Sequence, residues 1–333
     1  GDEILLNDHR SAAAWPTALS GLSGQNTKSE GYLMGLLVGD GTLKEEAAIL
    51  SVWPNSAASN GEESASASNG IMKMAEAAAR ELPHRSDFAG WMEVSGRGEY
   101  RLKLAAIRDL AHELGMSVGN KTITPEIEKS SSEFYAGFLR GLFDADGSVQ
   151  GSQTKGVSIR LAQSDLALLE AAQRMLARLG IVSRIYQNRR DEGTTSLPDG
   201  KGGNKLYAVK AQHELIVSGE NLEEYRGRVG FSDIDKATRL TNLLSGYKRS
   251  LNKERHIVRV EAVEPCGEEP GFDVSVPGIN AFDANGRYVH KCGEQPLRPY
   301  GACLLGSINR ERLVREPFSP EAQQDEEKLG ELV

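Results

Sequence analysis

Residues 137–149 read GFLRGLFDADGSV, and residues 31–43 read GYLMGLLVGDGTL. The two stretches align without a gap: glycines recur four residues apart among large apolar residues, and each stretch contains an Asp-Gly pair followed by a hydroxyl residue. Glycines at positions i and i+4 leave one stripe of a helix without side chains, so two such helices can pack with unusually close backbones. We therefore predict that the two copies are helices that pack against each other.

A second block is repeated after each copy. Residues 114–121 read LGMSVGNK, and residues 229–236 read VGFSDIDK. Both blocks contain a glycine, a large apolar residue and a serine, and both end in a lysine, Lys121 or Lys236. The region from about 30 to 245 is therefore predicted to consist of two halves of one duplicated unit.

The segments between these blocks have mixed α and β patterns. Strands are expected at 156–163, 181–187 and 206–219, and helices at 71–81 and 164–180. Asp165 is the expected N-cap of the second helix, and Gly180 follows its end. Two polar segments, 55–70 and 188–204, are predicted to be loops.

Asp40 and Asp146 end the two predicted signature helices. The partial negative charge of a helix C-terminus disfavours a carboxylate there. If the helices pair, the two carboxylates lie side by side and repel, and a divalent cation with a preference for oxygen ligands, such as Mg²⁺, relieves that repulsion. One acid and one lysine from each half would together suit the metal-assisted hydrolysis of a phosphodiester.

Less specific interpretations exist for the same residues. A D-x-D-G sequence after a helix can be a simple capping loop, and a lone lysine is usually a solvated charge. An EF-hand calcium loop is excluded because Val149 and Lys155 stand where its sixth and twelfth positions require Gly and Glu. Asp144 aligns with Val38, so we expect it to be a local hydrogen-bonding residue and not a metal ligand.

The composition bounds the class of protein. The 333 residues suffice for about two domains with their own cores. A net charge of −8 argues mildly against a generic nucleic-acid binder, although a local basic face remains compatible with it. No stretch approaches the ~18 uninterrupted apolar residues of a membrane helix, and the acidic N-terminus does not resemble a signal peptide. The three cysteines are too few for a disulfide framework, and they are not spaced like the ligands of a zinc site. We expect a cytoplasmic monomer without membrane contact.

The stretches GYLMGLLVGDG and GFLRGLFDADG resemble the paired signature helices of LAGLIDADG homing endonucleases in their two-repeat, single-chain form. The resemblance covers roughly residues 31–245. It implies an α+β fold of two pseudo-symmetric αββαββα halves, with Mg²⁺ as cofactor and double-stranded DNA as substrate. The implied catalytic residues are Asp40, Asp146, Lys121 and Lys236, and the implied metal-binding residues are Asp40, Asp146, Gly39 and Ala145.

The same resemblance implies a DNA interface. In that family long β-hairpins form a saddle in the major groove, and residues 183–210 would supply part of it. The basic tract 247–259 would extend the footprint. The implied DNA contacts are Arg184, Arg189, Arg190, Lys205, Lys248 and Arg249. A solvated loop is the plain alternative for the arginine cluster.

Residues 272–292 read FDVSVPGINAFDANGRYVHKC and predict two strands joined by a hairpin at Asn285-Gly286. The segment resembles the small all-β, Hint-like C-terminal splicing segment of inteins. That resemblance implies that His290 assists cyclisation and that Cys292 is the acceptor nucleophile. Lys291 stands in the place of the cyclising Asn and has no side-chain amide, so standard splicing is not expected. An inert β unit is the alternative.

Residues 292–309 read CGEQPLRPYGACLLGSIN and resemble the active-site stretch of ribonucleotide reductase large subunits or of adenosylcobalamin-dependent subunits, the latter class being favoured. The combined resemblance is to an intein endonuclease inserted in a reductase, whose N-terminal splicing half could be a partner chain. The expected regions are an N-terminal splicing remnant or linker (1–29), the first repeat (30–130), the second repeat (131–250), the C-terminal splicing segment (251–291) and a reductase fragment (292–333).

Three rival functions remain open. The first is a protein-splicing or C-terminal autoprocessing element of a reductase precursor. The second is a relic that binds DNA and no longer cuts it. The third is an RNA maturase. The presence of both Asp40 and Asp146 favours an active nuclease over a relic, whereas Lys291 weakens the autoprocessing interpretation.

Overall fold

The structure is a computed structural model. It describes residues 2–17, 27–53, 65–152, 156–198, 204–248, 250–265, 267–268, 281–284, 286–290, 314–315 and 323–324. The chain divides into a larger unit, Gly1–Val260 with Asn285–Arg287, and a smaller unit, Glu261–Ala284 with Tyr288–Val333.

The first half of the larger unit has the order αββαββα after a short leading strand. Its elements are β1 (Glu3–Leu5), α1 (Lys28–Asp40), β2 (Gly41–Leu43), β3 (Ala48–Val52), α2 (Ala65–Glu81), β4 (Trp91–Val94), β5 (Glu99–Leu104), α3 (Ala105–Glu113) and the single turn α4 (Pro125–Glu128). Its four main strands form an antiparallel sheet in the order β2-β3-β5-β4.

The second half repeats this order and adds a hairpin. Its elements are α5 (Ser132–Asp146), β6 (Gly147–Ser152), β7 (Gly156–Gln163), α6 (Leu166–Arg178), β8 (Ser183–Arg190), β9 (Gly193–Pro198), β10 (Asn204–Val209), β11 (Gln212–Ser218), α7 (Asn221–Arg228) and α8 (Ile234–Ser245), followed by β12 (Ile257–Arg259). The antiparallel sheet has the order β6-β7-β11-β8, and β9 pairs with β10 beyond it. The predicted α+β class is confirmed.

The predicted packing of the signature helices α1 and α5 is confirmed. A Cβ added to Gly35 would lie 2.0 Å from the carbonyl oxygen of Phe138, and one added to Gly137 would lie 2.0 Å from that of Lys28. Real Cβ atoms essentially never approach so closely, so only glycine allows the two backbones to meet. The surrounding apolar side chains of both helices are buried in one core that both halves share.

Two loop predictions were wrong in part. Strand β8 continues to Arg190 and β9 follows at Gly193–Pro198, because the Thr-rich segment pairs with β10 in regular antiparallel register, as at Thr195 opposite Tyr207. Helix α2 begins at Ala65, six residues earlier than expected. Its early turns are held by tertiary contact, since a Cβ on Gly70 would lie 2.0 Å from the carbonyl oxygen of Ser232. Residues 55–64 of that predicted loop lie outside the described residues.

Other local predictions are confirmed. Strand β7 covers the expected residues 156–163. Helix α6 begins after Asp165, whose side chain accepts a hydrogen bond from the amide of Leu168 at 3.3 Å. Gly180 follows this helix with a φ of +78°, a conformation that favours glycine.

The beginning of the chain pairs with the segment that follows α8. Strand β1 is antiparallel to β12, and Leu6 forms a β-bridge with Arg287. Arg10 then forms ion pairs of 2.7 Å with both Asp8 and Glu220. Residues 3–10 are thereby fixed to the second half of the larger unit.

The smaller unit contains short strands. β13 (Ala281–Ala284) pairs with β14 (Arg287–His290), and β15 (Val314–Arg315) pairs with β16 (Gln323–Gln324). The predicted hairpin is confirmed for its two strands, and Gly286 at its turn has a φ of +81°. Over the described part of the chain, no helix combines the length and apolar character that crossing a membrane requires.

Candidate metal centre and nucleic-acid interface

Asp40 and Asp146 are the last residues of α1 and α5, and the ends of these two helices touch. A Cβ added to Gly39 would lie 2.4 Å from the Cβ of Ala145 and 3.4 Å from Oδ2 of Asp146. Close glycine packing along both helices therefore brings the two carboxylates to one place. Strands β2 and β6 begin at the next residues, Gly41 and Gly147, and lead the chain away from the acids.

The environment makes both carboxyl groups harder to ionise. Burial raises the pKa of Asp146 to about 6, and the neighbouring Asp40 adds to this rise. The pKa of Asp40 is also raised by loss of contact with water, while the charges of Lys236 and Lys121 oppose the change. Two adjacent acids with raised pKa values are a site where a cation would be favourable.

Lys121 reaches this site from the loop that follows α3. Its Nζ atom donates to the carbonyl oxygens at the end of α1, at distances of 3.1 Å (Leu37), 3.0 Å (Val38), 3.2 Å (Gly39) and 2.6 Å (Gly41). Three of these carbonyls belong to the last turn of α1, and that of Leu37 also accepts from the amide of Gly41. A cation at this helix end complements the helix dipole.

Lys236 has the matching position in the second half. It stands in the first turn of α8, and its Nζ atom donates to the carbonyl oxygens of Phe143 at 3.1 Å and Asp144 at 2.6 Å, near the end of α5. Desolvation lowers the pKa of each lysine, whereas the nearby aspartates, Asp146 and Asp40 among them, raise it again. The two lysines therefore place positive charge close to the paired acids.

The repeated glycines explain how the chain reaches both lysines. Gly115 and Gly230 follow α3 and α7, with φ values of +80° and +64°. This left-handed conformation lets each helix end and turn back towards the signature helices, and it is open mainly to glycine. The duplication therefore preserves a backbone path as well as a lysine.

Asp144 is confirmed as a hydrogen-bonding residue, but its partners are not local in sequence. Its buried carboxylate accepts from the amides of Ser232 at 3.0 Å and Asp233 at 3.1 Å, and from the hydroxyl of Tyr32 at 2.9 Å. Both carboxylate oxygens therefore accept hydrogen bonds from protein donors.

Sequence reasoning missed Gln163, the last residue of β7. Its Nε2 atom donates to Oδ2 of Asp146 at 2.6 Å. The register places Leu161 opposite Gly147 and Leu50 opposite Gly41, so the matching residue of the first half is Val52. Asp40 therefore has no counterpart of Gln163, and comparison of the two repeats could not have revealed this residue.

The second sheet turns one face to the core and the other away from it. Leu161, Leu215 and Ile185 are aligned across β7, β11 and β8 on the core side. Side chains alternate along a strand, so the neighbouring row lies on the outer face. That row contains Arg160, Ile216 and Arg184.

A carboxylate on this outer face connects two arginines. Glu214 lies 3.3 Å from Arg160 and 3.5 Å from Arg189. Its side chain is 13% exposed, whereas that of Arg189 is 53% exposed. Arg189 also lies over the ring of Tyr186, with 5.5 Å from Cζ to the ring centroid. The exposed cations are therefore held by partners within the sheet.

The first sheet also carries basic residues on the face that is turned away from the core. Arg101 and Lys103 alternate with the buried Leu102 and Leu104 along β5. Arg101 is paired with Glu99 at 2.6 Å. Sequence reasoning missed Arg101, Lys103 and Arg160, although the cations alternate with apolar residues in EYRLKL and GVSIRLAQ.

The structure places the other predicted residues as follows. Arg184 and Arg190 are exposed on β8, Lys205 lies on β10, and Lys248 is exposed shortly after α8. His290 is the last residue of β14. Arg249 and Cys292 lie outside the described residues. The predicted roles of all these residues stay predictions.

The donor set suits a cation that keeps part of its water shell. Among the described residues, no group of three or more His, Cys, Asp or Glu side chains could hold a metal ion. Asp40 and Asp146 bring two carboxylates together at the helix ends, and the carbonyl of Gly39 accepts from Lys121. Mg²⁺ is commonly bound by one or two carboxylates, with waters and substrate phosphates as its other ligands.

Comparison with known proteins gives matches of two kinds. Residues 133–230 match the family described as LAGLIDADG-like domain. The chain is 28% identical over 273 residues to the ribonucleoside-diphosphate reductase NrdEB subunit alpha of Bacillus subtilis (strain 168), which covers 79% of this chain and 25% of that protein. It is 38% identical over 188 residues to the reductase large subunit of Invertebrate iridescent virus 6, covering 55% of this chain and 18% of that protein.

Among solved structures, mesophilic variants of the homing endonuclease I-DmoI match with a TM-score of 0.40 and 16% identity, covering 66% of this chain and all of theirs. The chain spans about a quarter of the length of the reductase of Bacillus subtilis. The predicted resemblance to a LAGLIDADG homing endonuclease of an intein in a ribonucleotide reductase is confirmed by the match of residues 133–230 to the LAGLIDADG-like domain and by the similarity to the reductase chains.

Proposed function

We propose that this chain is a site-specific DNA endonuclease that makes a divalent-metal-dependent double-strand break in a long site. The proposed target is the reductase gene without its insertion. The observation that carries the proposal is the meeting of Asp40 and Asp146 at the ends of two closely packed helices, above a lysine from each half.

Asp40 and Asp146 would hold Mg²⁺, together with backbone oxygens of Gly39 and Ala145. A bound Mg²⁺ would activate water for attack on the phosphorus and offset the charge that develops on the leaving 3′ oxygen. The raised pKa of both acids supports this assignment, because a cation relieves their mutual repulsion.

Lys121 and Lys236 would offset negative charge on the acids and on the scissile phosphates. Their Nζ atoms are engaged by helix-end carbonyls, which favours this electrostatic role over direct positioning of water. Each half supplies one acid and one lysine, so each lysine would serve the cutting of one DNA strand. Gln163 would orient the carboxylate of Asp146.

The outer faces of the two sheets would contact DNA. Arg101, Lys103, Arg160, Arg184 and Arg189 supply positive charge there in spite of the net charge of −8. Lys205 and Arg190 on the long strands, and Lys248 and Arg249 after α8, would extend the interface. Contacts of this kind bind phosphates, and some reach base edges in the major groove.

The proposed organisation follows the sequence. Residues 30–130 and 131–250 form the two repeats, flanked by a linker or splicing remnant at 1–29 and a splicing segment at 251–291, with reductase sequence from 292. The protein would act as a monomer, since both repeats are on one chain. The proposed compartment is the cytoplasm.

The test is cleavage of a plasmid that carries the uninterrupted reductase sequence around the codons for residues 292–297. Purified protein with Mg²⁺ should convert it to the linear form, whereas Asp40→Asn and Asp146→Asn should not. Asp165→Asn is the matched control, because that acid only caps α6. Tight binding without cutting by the natural chain would contradict the nuclease proposal and support a DNA-binding relic.

A second candidate is autoprocessing at the reductase junction. The pairing of β1 with β12 and the bridge from Leu6 to Arg287 bring residues 3–6, which precede the first repeat, to β12 and to the first residue of β14, which follow the second repeat. An element that joins two flanking sequences would require the segments on either side of the nuclease region to lie together. Lys291→Asn should then release the residues from Cys292 onwards, detected as a smaller product by mass spectrometry. An intact chain after this substitution would exclude the second candidate.

A further inference from the structure

The buried carboxylate of Asp144 breaks the symmetry of the two halves. Val38 has the equivalent position in the first half. A buried carboxylate is costly unless its oxygens are hydrogen-bonded. Here two backbone amides and the hydroxyl of Tyr32 bind it. The position equivalent to Tyr32 is Phe138, so the whole arrangement is apolar in the first half.

The amides bound by Asp144 belong to the turn that begins α8. Asp233 in this turn caps the helix, since its Oδ1 atom accepts from the amides of Asp235 at 3.0 Å and Lys236 at 2.9 Å. The Nζ atom of Lys236 returns to the carbonyl oxygen of Asp144 at 2.6 Å. The side chain of Asp144 therefore fixes the turn that begins α8, and its backbone carbonyl accepts the hydrogen bond of Lys236.

The first half holds its lysine without a carboxylate. The loop that contains Lys121 is closed by reciprocal backbone hydrogen bonds between Ser117 and Asn120, at 3.0 Å and 2.9 Å. Lys121 then binds four carbonyls near the end of α1. Lys121 therefore does not depend on any side chain at Val38.

We infer that Asp144 is a positioning residue for Lys236 alone, so that the two strand-cutting centres depend on different supports. This inference rests on the proposed nuclease function. A misplaced lysine near the reacting phosphate can slow one strand by about tenfold to a hundredfold. The other strand, served by Lys121, should be cut at close to its normal rate.

The experiment measures the two strands separately. The full chain cuts a duplex of the uninterrupted reductase sequence that is labelled on one strand or the other. Asp144→Asn and Asp144→Val are compared with Lys236→Met and Lys121→Met. Asp165→Asn is the matched control, since it makes the same acid-to-amide change at a carboxylate that caps α6. If Asp144→Val does not fold, the milder Asp144→Asn carries the test.

Both Asp144 variants should slow the same strand as Lys236→Met, so that nicked DNA accumulates, while Asp165→Asn should leave the ratio of the two strand rates unchanged. Equal slowing of both strands, slowing of the Lys121 strand, or no change in a folded variant would overturn it.

A second readout does not require cutting. Hydrogen–deuterium exchange of the amides at 232–236 should accelerate in Asp144→Asn, while Asn120, bonded to Ser117 in the first half, stays protected. If the natural chain cuts neither strand, the nuclease proposal fails and this comparison still decides the role of Asp144. Unchanged exchange at 232–236 would overturn the inference.

Discussion

Gly35 and Phe138 meet backbone to backbone: a Cβ at Gly35 would lie 2.0 Å from the carbonyl oxygen of Phe138. The same contact recurs at Gly31, Gly137 and Gly141, with distances of 2.2 Å, 2.0 Å and 2.3 Å to carbonyl oxygens of the facing helix. The glycines therefore set the distance between α1 and α5. Because Asp40 and Asp146 end these helices, the same glycines set the geometry of the acids.

Gly35→Ala should destabilise the protein by about 3 kcal/mol, because the new methyl group would meet backbone atoms that cannot rotate away. The measurement is denaturant unfolding. Cutting should also fall in the fraction that remains folded, since the helix ends separate.

The matched control is Gly227→Ala in α7. No atom lies within 4 Å of a Cβ at Gly227. This substitution should stabilise the protein by about 0.5–1 kcal/mol, because alanine favours a helix over glycine. Equal effects at the two positions would disprove close packing as the reason for the signature glycines.

Asp146→Asn should stabilise the metal-free protein at neutral pH while it abolishes cutting. The folded state raises the pKa of Asp146 from 3.8 to about 6, so it holds the proton more tightly than the unfolded chain does. The contribution of Asp146 to stability is therefore fully present below about pH 4 and is lost as the pH rises towards about 6. Above that pH the asparagine variant should gain up to about 3 kcal/mol, since each pKa unit corresponds to about 1.4 kcal/mol, and near pH 4 it should gain little.

Unfolding curves of both proteins in EDTA, at pH 4 to 8, provide this measurement. Asp235→Asn is the control: Asp235 lies in the first turn of α8, where a carboxylate favours the helix dipole, so its loss should destabilise slightly. A pH-independent difference between Asp146→Asn and the natural protein would contradict the argument.

Divalent metal should stabilise the natural protein through the same two acids. Ca²⁺ in the absence of DNA should raise the free energy of unfolding by about 1.4 kcal/mol at tenfold its dissociation constant. EDTA should reverse the effect, and the double variant Asp40→Asn with Asp146→Asn should show none. The control Asp165→Asn should respond like the natural protein. Stabilisation of the double variant would place the metal elsewhere.

The sequence predicted the paired acids because a local pattern determines them. Glycine spacing fixes the helix contact, and Asp40 and Asp146 lie at fixed positions along those helices. The contacts of Asp144 could not be predicted, since Tyr32 and Ser232 approach it from distant parts of the chain. Gln163 was missed for a related reason, because its contact with Asp146 depends on strand register.

The sequence predicted a strand over most of β10 but placed β9 in a loop. Residues 193–198 show no apolar alternation, and their strand character comes from pairing with β10. The lysines were recognised through the duplication, but their role as donors to helix-end carbonyls depends on how the loops after α3 and α7 return to the signature helices.

Glu214→Gln should strengthen non-specific DNA binding and weaken discrimination between sites. Glu214 lies 3.3 Å from Arg160 and 3.5 Å from Arg189, so it restrains both cations on the outer face of the second sheet. Without its charge the arginines can turn to phosphates, and each new phosphate contact should steepen the slope of log K against log salt by about 0.9. Fluorescence anisotropy with target and scrambled duplexes, at several salt concentrations, measures both effects.

Glu128→Gln is the matched control for this change. Glu128 also pairs with an arginine, Arg174, but it ends the short helix α4 and not a strand of the sheet. Glu128→Gln removes the same charge from the protein as Glu214→Gln, so a comparable gain in DNA binding would attribute the effect to net charge alone. A steeper salt dependence in Glu214→Gln only would assign the DNA-facing role to the outer face of the second sheet, where the restrained arginines lie.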